Sequence, residues 1–280
     1  MRSVKVIFVF VIAFLSIAPL LWMLSMAFKP PGEWTSAGGA VTLLPHSPTW
    51  SNFAYAFTGK SDSIAVALDR TAFRPFFASL LTATIGTIIA VSVGTLAAYA
   101  VSRHKVSETL GLSFLQLRIF PPLAVMIPVM IMWAYLHLID TWWGLSLIYG
   151  IVTLPFSFWL MKAYFDELPR EIEEAAFVEG CSPWRTFIRI TLPIVRPAIA
   201  STSLFIFILN WSDYLIALLL TRKDWTTIPV YVNALATAAN GELYGVKAAV
   251  GFIAIIPPVI LGISIQRFLV RGLTFGALKQ

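Results

Sequence analysis

Residues 174–193 read EAAFVEGCSPWRTFIRITLP, and this stretch lies between two long apolar runs of the chain. It is charged and amphipathic, unlike the apolar runs on either side. A membrane protein that keeps such an insert on one side of the bilayer usually needs it to contact something soluble. The nature of that partner largely decides what the chain does.

The composition of the chain is that of a membrane protein. Of its 280 residues, 58% are hydrophobic and only 12% are charged, whereas a soluble domain carries roughly 25% charged residues. The few charges cluster between long apolar segments, which is typical of a polytopic helical membrane protein. Every stretch between those segments is too short to bury its own core, so we expect residues 1–280 to form a single transmembrane domain.

Charge and cysteine content argue against two other kinds of site. The net charge is +6, but the basic residues lie at the ends of apolar segments and form no run with interleaved aromatics, so nucleic-acid binding is not expected. The single cysteine, Cys181, allows no internal disulfide and no cysteine-based metal site. The three histidines are far apart and lack ligand spacing, so we expect no metal site; they are His46, His104 and His137.

The apolar segments predict an all-α fold with six transmembrane helices. A helix of about 20 apolar residues crosses a hydrocarbon core of about 30 Å. The first segment is longer than the core of a signal peptide and precedes no convincing cleavage site, so we interpret it as a retained span. The predicted spans are 6–28, 76–101, 110–136, 142–161, 198–220 and 248–268.

Small residues and prolines mark particular spans. In the second span, small residues recur at every fourth position and predict close packing against a neighbouring helix; they are Gly86, Ala90, Gly94 and Ala98. The pairs Pro121-Pro122 and Pro257-Pro258 interrupt the third and sixth spans. Each proline frees a backbone carbonyl, so these kinks should face protein or a water-filled cavity.

Lysine and arginine counts predict the orientation. Twelve of these residues fall on one side of the six spans and seven on the other, while Arg118 lies inside the third span. The positive-inside rule then assigns both termini and the loop 162–197 to the cytoplasm. The loop 29–75, rich in proline and glycine, is assigned to the outside as an irregular cap.

Turn chemistry predicts two short helices over residues 169–193, which we take as the full extent of the insert. Pro169 suits the opening position of the first helix, and Gly180 suits the residue that follows its end. Ser182 and Pro183 suit the N-cap and first residue of a second helix, which we expect to run to Pro193. Three acidic residues favour the positive end of the first helix; they are Glu171, Glu173 and Glu174.

The first predicted helix has an apolar stripe whose partner the sequence leaves open. The stripe contains Ile172, Ala175, Ala176 and Val178, while Phe177 points the opposite way. The two alanines permit close docking, and the aromatic side chain could enter a groove of a protein partner. The same pattern also suits an amphipathic helix lying on lipid headgroups, with Arg185 and Arg189 touching phosphate.

The insert resembles the EAA loop of ABC importer permeases, with every spacing matching. The matching residues are Glu174, Ala175, Ala176, Gly180, Ile190, Leu192 and Pro193. Segments along nearly the whole chain are similar to the MalG-type permeases of carbohydrate importers, including Leu154-Pro155-Phe156 and the tail from Arg271 to Lys279. Two positions depart mildly from the pattern, because Glu179 replaces a more usual aspartate and Cys181 a small residue.

The resemblance implies a type I ABC importer permease fold and a coupling role for the insert. In that family the loop is a coupling helix seated in a cleft of a cytoplasmic ATPase subunit. Carried onto this chain, the coupling residues are Glu174, Ala175, Ala176, Phe177, Gly180, Pro183, Leu192 and Pro193. Closure of two ATPase subunits would then switch the membrane domain between inward-facing and outward-facing states.

The resemblance also implies the partners. These are a second, MalF-like permease subunit, a dimer of cytoplasmic ATPase subunits and an extracytoplasmic solute-binding protein, assembled in the inner-membrane lipid bilayer. The chain contains no P-loop pattern, so it is expected to be non-catalytic and to bind no cofactor, with ATP and Mg²⁺ on the partner ATPase.

The fifth span carries candidate residues for a substrate path. Asn210, Trp211, Asp213 and Tyr214 interrupt an apolar run. A carboxylate in a span is costly by ~3 kcal/mol on insertion scales, so Asp213 should face the interior or a cavity. Polar groups would bind sugar hydroxyls and the aromatic rings would stack. The alternative is a structural contact, and Arg118 similarly suits either a path or the cytoplasmic interface.

The sequence therefore predicts the permease subunit of an ATP-driven importer of a sugar, oligosaccharide or polyol. The alternative is an ion-coupled secondary transporter, but such proteins usually show internal repeats, more spans and no EAA loop. A membrane-embedded enzyme would need a catalytic cluster that the sequence does not display.

Overall fold

The computed structural model describes residues 2–35, 42–60, 64, 70–104, 122–237 and 241–276, and most of these are helical. In chain order the helices up to the insert are α1 (Arg2–Ala27), α2 (Ser51–Thr58), α3 (Phe73–His104), α4 (Pro122–Tyr135) and α5 (Trp142–Glu167). The insert contains α6 (Glu171–Val178), α7 (Pro183–Thr186), a π turn (Phe187–Thr191) and α8 (Leu192–Ile194). The remainder forms α9 (Arg196–Trp211), α10 (Leu215–Leu220), α11 (Ile228–Asn233), α12 (Tyr244–Ala254) and α13 (Ile256–Gly276).

Strand structure among these residues is minor. Ala236–Thr237 (β1) and Gly241–Glu242 (β2) pair antiparallel, with Ala236 opposite Glu242 and Thr237 opposite Gly241. Pro31–Glu33 form a short 3₁₀ turn. The all-α, polytopic prediction is confirmed.

Four helices among the described residues are long and apolar enough to cross a membrane: 5–27, 73–103, 142–167 and 244–266. A fifth span results if residues 183–194 and 196–211, which meet at a 72° bend, are counted together. Of the predicted third span, residues 122–135 are helical. The rest of that span, including Arg118 and Pro121, lies outside the described residues, so the prediction of six spans is not tested.

Two predicted segments differ from the structure. The fifth span, expected as one helix over 198–220, ends at Trp211 and resumes at Leu215 as α10. The side chain of Asp213 accepts a hydrogen bond from Ala217 N (3.1 Å) and so competes with a continuous helix. The predicted irregular cap at 29–75 contains an ordered helix, α2.

The chain divides into two compact units, the first formed by residues 1–78 and 226–256. In this unit α1 and α2 both pack against α12. The fully buried Asn52 on α2 donates hydrogen bonds to the carbonyls of Ala27 (2.8 Å) and Lys29 (2.7 Å), and so fixes the chain that leaves α1. Gly245 of α12 lets the segment that follows α1 pack closely against this helix, because a Cβ there would lie 2.3 Å from Trp34 Nε1.

The second unit, residues 79–225 and 257–280, contains the insert. Its core is formed where α5 packs against α9 and against the small residues of α3. A Cβ at Gly86 would lie 2.7 Å from Tyr149 Cβ, and one at Gly94 would lie 2.6 Å from Ser157 Oγ. Ala90 and Ala98 are fully buried. The predicted close packing along α3 is confirmed, and its partner is α5.

Candidate functional site

The first helix of the insert ends as its glycine predicts. Gly180 has φ +85°, in the left-handed region, and follows directly after the C-cap Glu179. Gly180 N donates to Phe177 O (3.0 Å) and Cys181 N donates to Ala176 O (2.9 Å). These two bonds form a Schellman motif, which satisfies carbonyls at the end of α6.

The second part of the insert begins as predicted but does not end at Pro193. Ser182 Oγ accepts a hydrogen bond from Arg185 N (3.4 Å), with Pro183 as the first helical residue. The chain then widens into the π turn, where Leu192 N donates to Phe187 O. Pro193 follows as an early residue of α8, and the helix turns by 72° into α9. A proline is tolerated there because the first turn of a helix leaves N–H groups without helical partners.

The first helix does not bury the apolar stripe that the sequence suggested. Its buried residues are Glu173 and Ala176, whereas Ala175 is exposed and Val178 is 88% exposed. Glu173 determines this rotation, because its carboxylate forms an ion pair with Arg103 of α3. Each of the two side chains is only 5% exposed. The stripe therefore lies mainly at the surface, with only Ala176 buried.

The exposed apolar residues of the insert form a surface that we call the coupling surface. Its large members are Ile172, Phe177, Val178, Trp184 and Ile188. Trp184 is 63% exposed although its ring lies beside that of Phe187, at a centroid distance of 5.7 Å. Large exposed apolar residues grouped on one short segment indicate an interaction site.

The predicted coupling residues divide between this surface and its support. Among them, Ala176 is buried, while Leu192 and Pro193 are half-buried and Leu192 packs against the core that contains Tyr99. The exposed members are Glu174, Ala175, Phe177, Gly180 and Pro183. The exposed set is available to a protein partner, and Leu192 joins the insert to the core of the spans.

Polar contacts that the sequence reasoning missed attach α6 to α3. Arg103 Nε lies 3.2 Å from Glu173 Oε2, and Thr191 Oγ1 donates to Glu173 Oε1 (2.7 Å). The Arg103 guanidinium also donates to Leu168 O (2.9 Å), and Arg170 donates in return to Ser102 O (3.1 Å). The only signal in the sequence was the position of Arg103, two residues beyond a charge-free span.

The candidate path residues of the fifth span are mostly engaged within the chain. Asn210 is buried and its amide donates to Thr87 Oγ1 of α3 (3.3 Å). Tyr149 of α5 donates its hydroxyl to Asp213 Oδ2 (3.2 Å).

The two aromatic residues differ in exposure. Trp211 is buried with its ring stacked on that of Phe207, while Tyr214 is 37% exposed. The contacts of Asn210 and Asp213 hold α9 and α10 to α3 and α5, and a role in a substrate path stays a prediction.

The carboxylate of Asp140 joins two distant connections of the chain. Asp140, at φ +56° between α4 and α5, accepts four backbone hydrogen bonds of 2.9–3.1 Å. Burial alone would raise the pKa of Asp140, but these four N–H donors outweigh it and hold the pKa below its ordinary value. The donors are Arg222, Lys223, Asp224 and Trp225.

No group of three or more metal-ligating side chains comes together in the part of the chain that the structure describes. The arrangement offers an exposed apolar surface on a polar anchor. Such a surface can bind a protein and transmit force to the helices that hold it.

Comparison with known proteins gives consistent results. Over residues 90–275 the chain matches the family described as "Binding-protein-dependent transport system inner membrane component". It is 32% identical over 268 residues to the trehalose transport system permease protein SugB of Mycobacterium tuberculosis, covering 94% of this chain and 93% of that protein. It is 31% identical over 284 residues to the trehalose/maltose transport system permease protein MalG of Thermococcus litoralis, covering 99% and 97%.

A solved structure shows the same fold. The chain aligns with one from a bacterial ABC transporter involved in the import of the acidic polysaccharide alginate, with a TM-score of 0.74 and coverage of 95% of both chains. The sequence identity is 21%, so this likeness concerns the fold alone.

Proposed function

The chain belongs to the family of binding-protein-dependent transport system inner membrane components, and on that premise we propose that it is the permease subunit of an ATP-driven carbohydrate importer. The family match covers the insert, α9 and every later helix. Family membership separates the chain from ion-coupled secondary transporters and from membrane-embedded enzymes, the two alternatives that the sequence left open.

A sugar, oligosaccharide or polyol is the proposed class of solute. Two relatives with which the chain aligns over nearly its full length are named for trehalose transport and for trehalose/maltose transport. Other relatives are named for maltodextrin and diacetylchitobiose. These solutes share a hydroxyl-rich chemistry, which supports carbohydrate as the class and leaves the individual sugar open.

The finer mechanism follows from the insert. We propose that a cytoplasmic ATPase subunit binds the coupling surface and that ATP and Mg²⁺ are bound there, because this chain has no P-loop. A second, MalF-like permease would complete the pore, and a solute-binding protein would deliver the sugar from outside. Both termini and the insert would then lie in the cytoplasm, in agreement with the lysine and arginine count.

The observation that carries this proposal is the exposure of the coupling surface on a helix that buried polar contacts attach to α3. The coupling surface carries Phe177, Val178 and Trp184 exposed beside the Schellman turn, while Glu173 is fixed beneath it. Movement of a bound partner would pass directly through the 72° bend into α9, since the insert and that helix are continuous in the chain.

Two substitutions test the coupling role. Glu174→Lys reverses an exposed charge of the insert, and Gly180→Val places a β-branched residue at φ +85°, which strains the turn. Both variants should lose solute uptake and copurification of the ATPase subunit while the chain still inserts into the membrane.

The matched control is Glu167→Lys, which makes the same charge change at an exposed position outside the insert. It should keep both uptake and copurification. Normal uptake in both insert variants would disprove the coupling assignment.

A further inference from the structure

The contacts between α6 and α3 suggest how movement of the insert reaches a span to which it is not covalently adjacent. Glu173 and Arg103 are each only 5% exposed and lie 3.2 Å apart. The free energy of such a buried pair depends on both partners, because a single buried charge left alone is strongly unfavourable. The pair therefore favours one rotation of α6 relative to α3.

Little else fixes that rotation. Helix α6 has eight residues, and helices this short are marginal unless tertiary contacts hold them. Its only buried apolar side chain is Ala176, which contributes little area. The orientation of the coupling surface is thus set chiefly by polar contacts, and Glu173 is the residue of α6 that makes most of them.

The contacts around this pair are mutual. Arg103, near the end of α3, donates to the carbonyl of Leu168 just before α6. Arg170, just before α6, donates to the carbonyl of Ser102, one of the last carbonyls of α3. Thr191 adds a bond to Glu173 from the π turn, so three segments meet at one carboxylate.

We propose that Glu173 and Arg103 are positioning residues that make the insert and the end of α3 move as one body during the transport cycle. This inference rests on the proposed function, because it assumes that an ATPase subunit moves the insert. Force would then enter the membrane by two routes, one through the bend into α9 and one through Arg103 into α3.

The test is a distance between two labels in the assembled complex. One spin label is attached to Cys181, the single cysteine of the chain. The other is attached to Leu96→Cys, at an exposed position on α3. The complex with cysteine-free partner subunits is measured without nucleotide and after trapping with ATP and vanadate. In the parent chain the distance should change by less than ~2 Å, the scale of small helix shifts, because the two segments move together.

Neutral variants should release the two segments from each other. Glu173→Gln and Arg103→Met should each retain the ATPase subunit. In both variants the distance between the two labels should change on nucleotide trapping by well above ~2 Å, up to the ~5 Å of a one-turn shift. The double variant should change no more than the worse single variant, because the pair acts as a unit. Glu171→Gln, which removes the same charge at an exposed position of the same helix, should behave as the parent.

The possible results separate this inference from the proposed function. If the ATPase subunit does not copurify with the parent chain, the proposed function fails. If it copurifies and both single variants keep the parent distances, only this inference is overturned. Thr191→Val keeps both charges and removes one hydrogen bond to Glu173, so it tests the same point if Arg103→Met does not fold. Thr191→Val should change the label distance in the same direction as Glu173→Gln but by less.

Discussion

Two carboxylates of this protein hold distant segments together by different means. Glu173 is buried and meets the side-chain cation of Arg103, whereas Asp140 is partly exposed and meets four backbone N–H groups that lie 82 to 85 residues further along the chain. The first contact requires two specific side chains and fails when either is lost. The second requires only Asp140, because any residue except proline supplies an N–H at positions 222–225.

The largest effect on the unfolding free energy is expected at the buried pair of Glu173 and Arg103. Glu173→Ala leaves the Arg103 guanidinium buried beside a space, and loss of one partner of a buried ion pair costs about 3–5 kcal/mol. The free energy of unfolding, measured by denaturant titration in detergent, should fall by this amount. Glu171→Ala removes an exposed charge from the same helix and should change it by less than about 0.5 kcal/mol. Equal effects of the two substitutions would contradict the importance of the pair.

A smaller effect is expected at Asp140. Asp140→Ala removes the acceptor of four N–H groups, but Arg222, Lys223 and Asp224 are exposed, so water replaces part of the loss. We expect the unfolding free energy to fall by about 1–2 kcal/mol.

Asp140→Asn separates the acceptor from the backbone conformation. Asparagine tolerates the left-handed conformation at φ +56° and retains one acceptor oxygen. It should lose roughly half as much as alanine in the same titration. If Asp140→Asn and Asp140→Ala lower the unfolding free energy equally, a single acceptor oxygen at this position does not hold the contact.

A still smaller effect tests backbone geometry beside the buried pair. Gly180→Ala introduces a Cβ at φ +85°, where no other atom lies within 4 Å, so the cost is conformational rather than steric. That cost should be about 1 kcal/mol. Gly180→Asn should lose less, and thermal unfolding of the two variants compares them. If alanine is neutral, the turn does not require the left-handed conformation.

The smallest effect is a dependence on pH at Asp140. Because the pKa of Asp140 is lowered in the folded protein, its carboxylate stabilises the fold above the unfolded value of about 3.9. This contribution is lost as the pH falls through the lower folded value. The stabilities of the natural chain and of Asp140→Asn should therefore converge below about pH 4. A gap that stays constant from pH 7 to pH 3 would show that ionisation of Asp140 is irrelevant.

Local chemistry in the sequence predicted the local structure of the insert. Gly180 ends α6, and Ser182 with Pro183 begins α7, because these positions depend on the backbone preferences of single residues. The small residues of α3 likewise predicted a close helix contact. The membrane class and the family followed from composition and from the spacing within 174–193.

Long-range contacts could not be predicted in this way. The rotation of α6 depends on Arg103, which no local pattern connects to Glu173. The apolar stripe left its partner open, since a period in the sequence does not state which face the tertiary structure buries, and of its members only Ala176 is buried. The break at 212–214 depends on where the Asp213 carboxylate and the Tyr149 hydroxyl meet in space, and the sequence only marked Asp213 as costly in a span.

The glycines of α3 restrict how this protein can evolve. Every single-base change that alters a glycine codon yields a stop or a residue with a Cβ, and at Gly86 that atom would lie 2.7 Å from the Cβ of Tyr149 and at Gly94 2.8 Å from that of Ser157. Neither atom is the end of a flexible side chain, so neither neighbour can rotate away. Replacement at these positions would require prior loss of the facing Cβ on α5, which only glycine lacks. Lineages in which Gly86 is replaced should therefore carry glycine at the position of Tyr149.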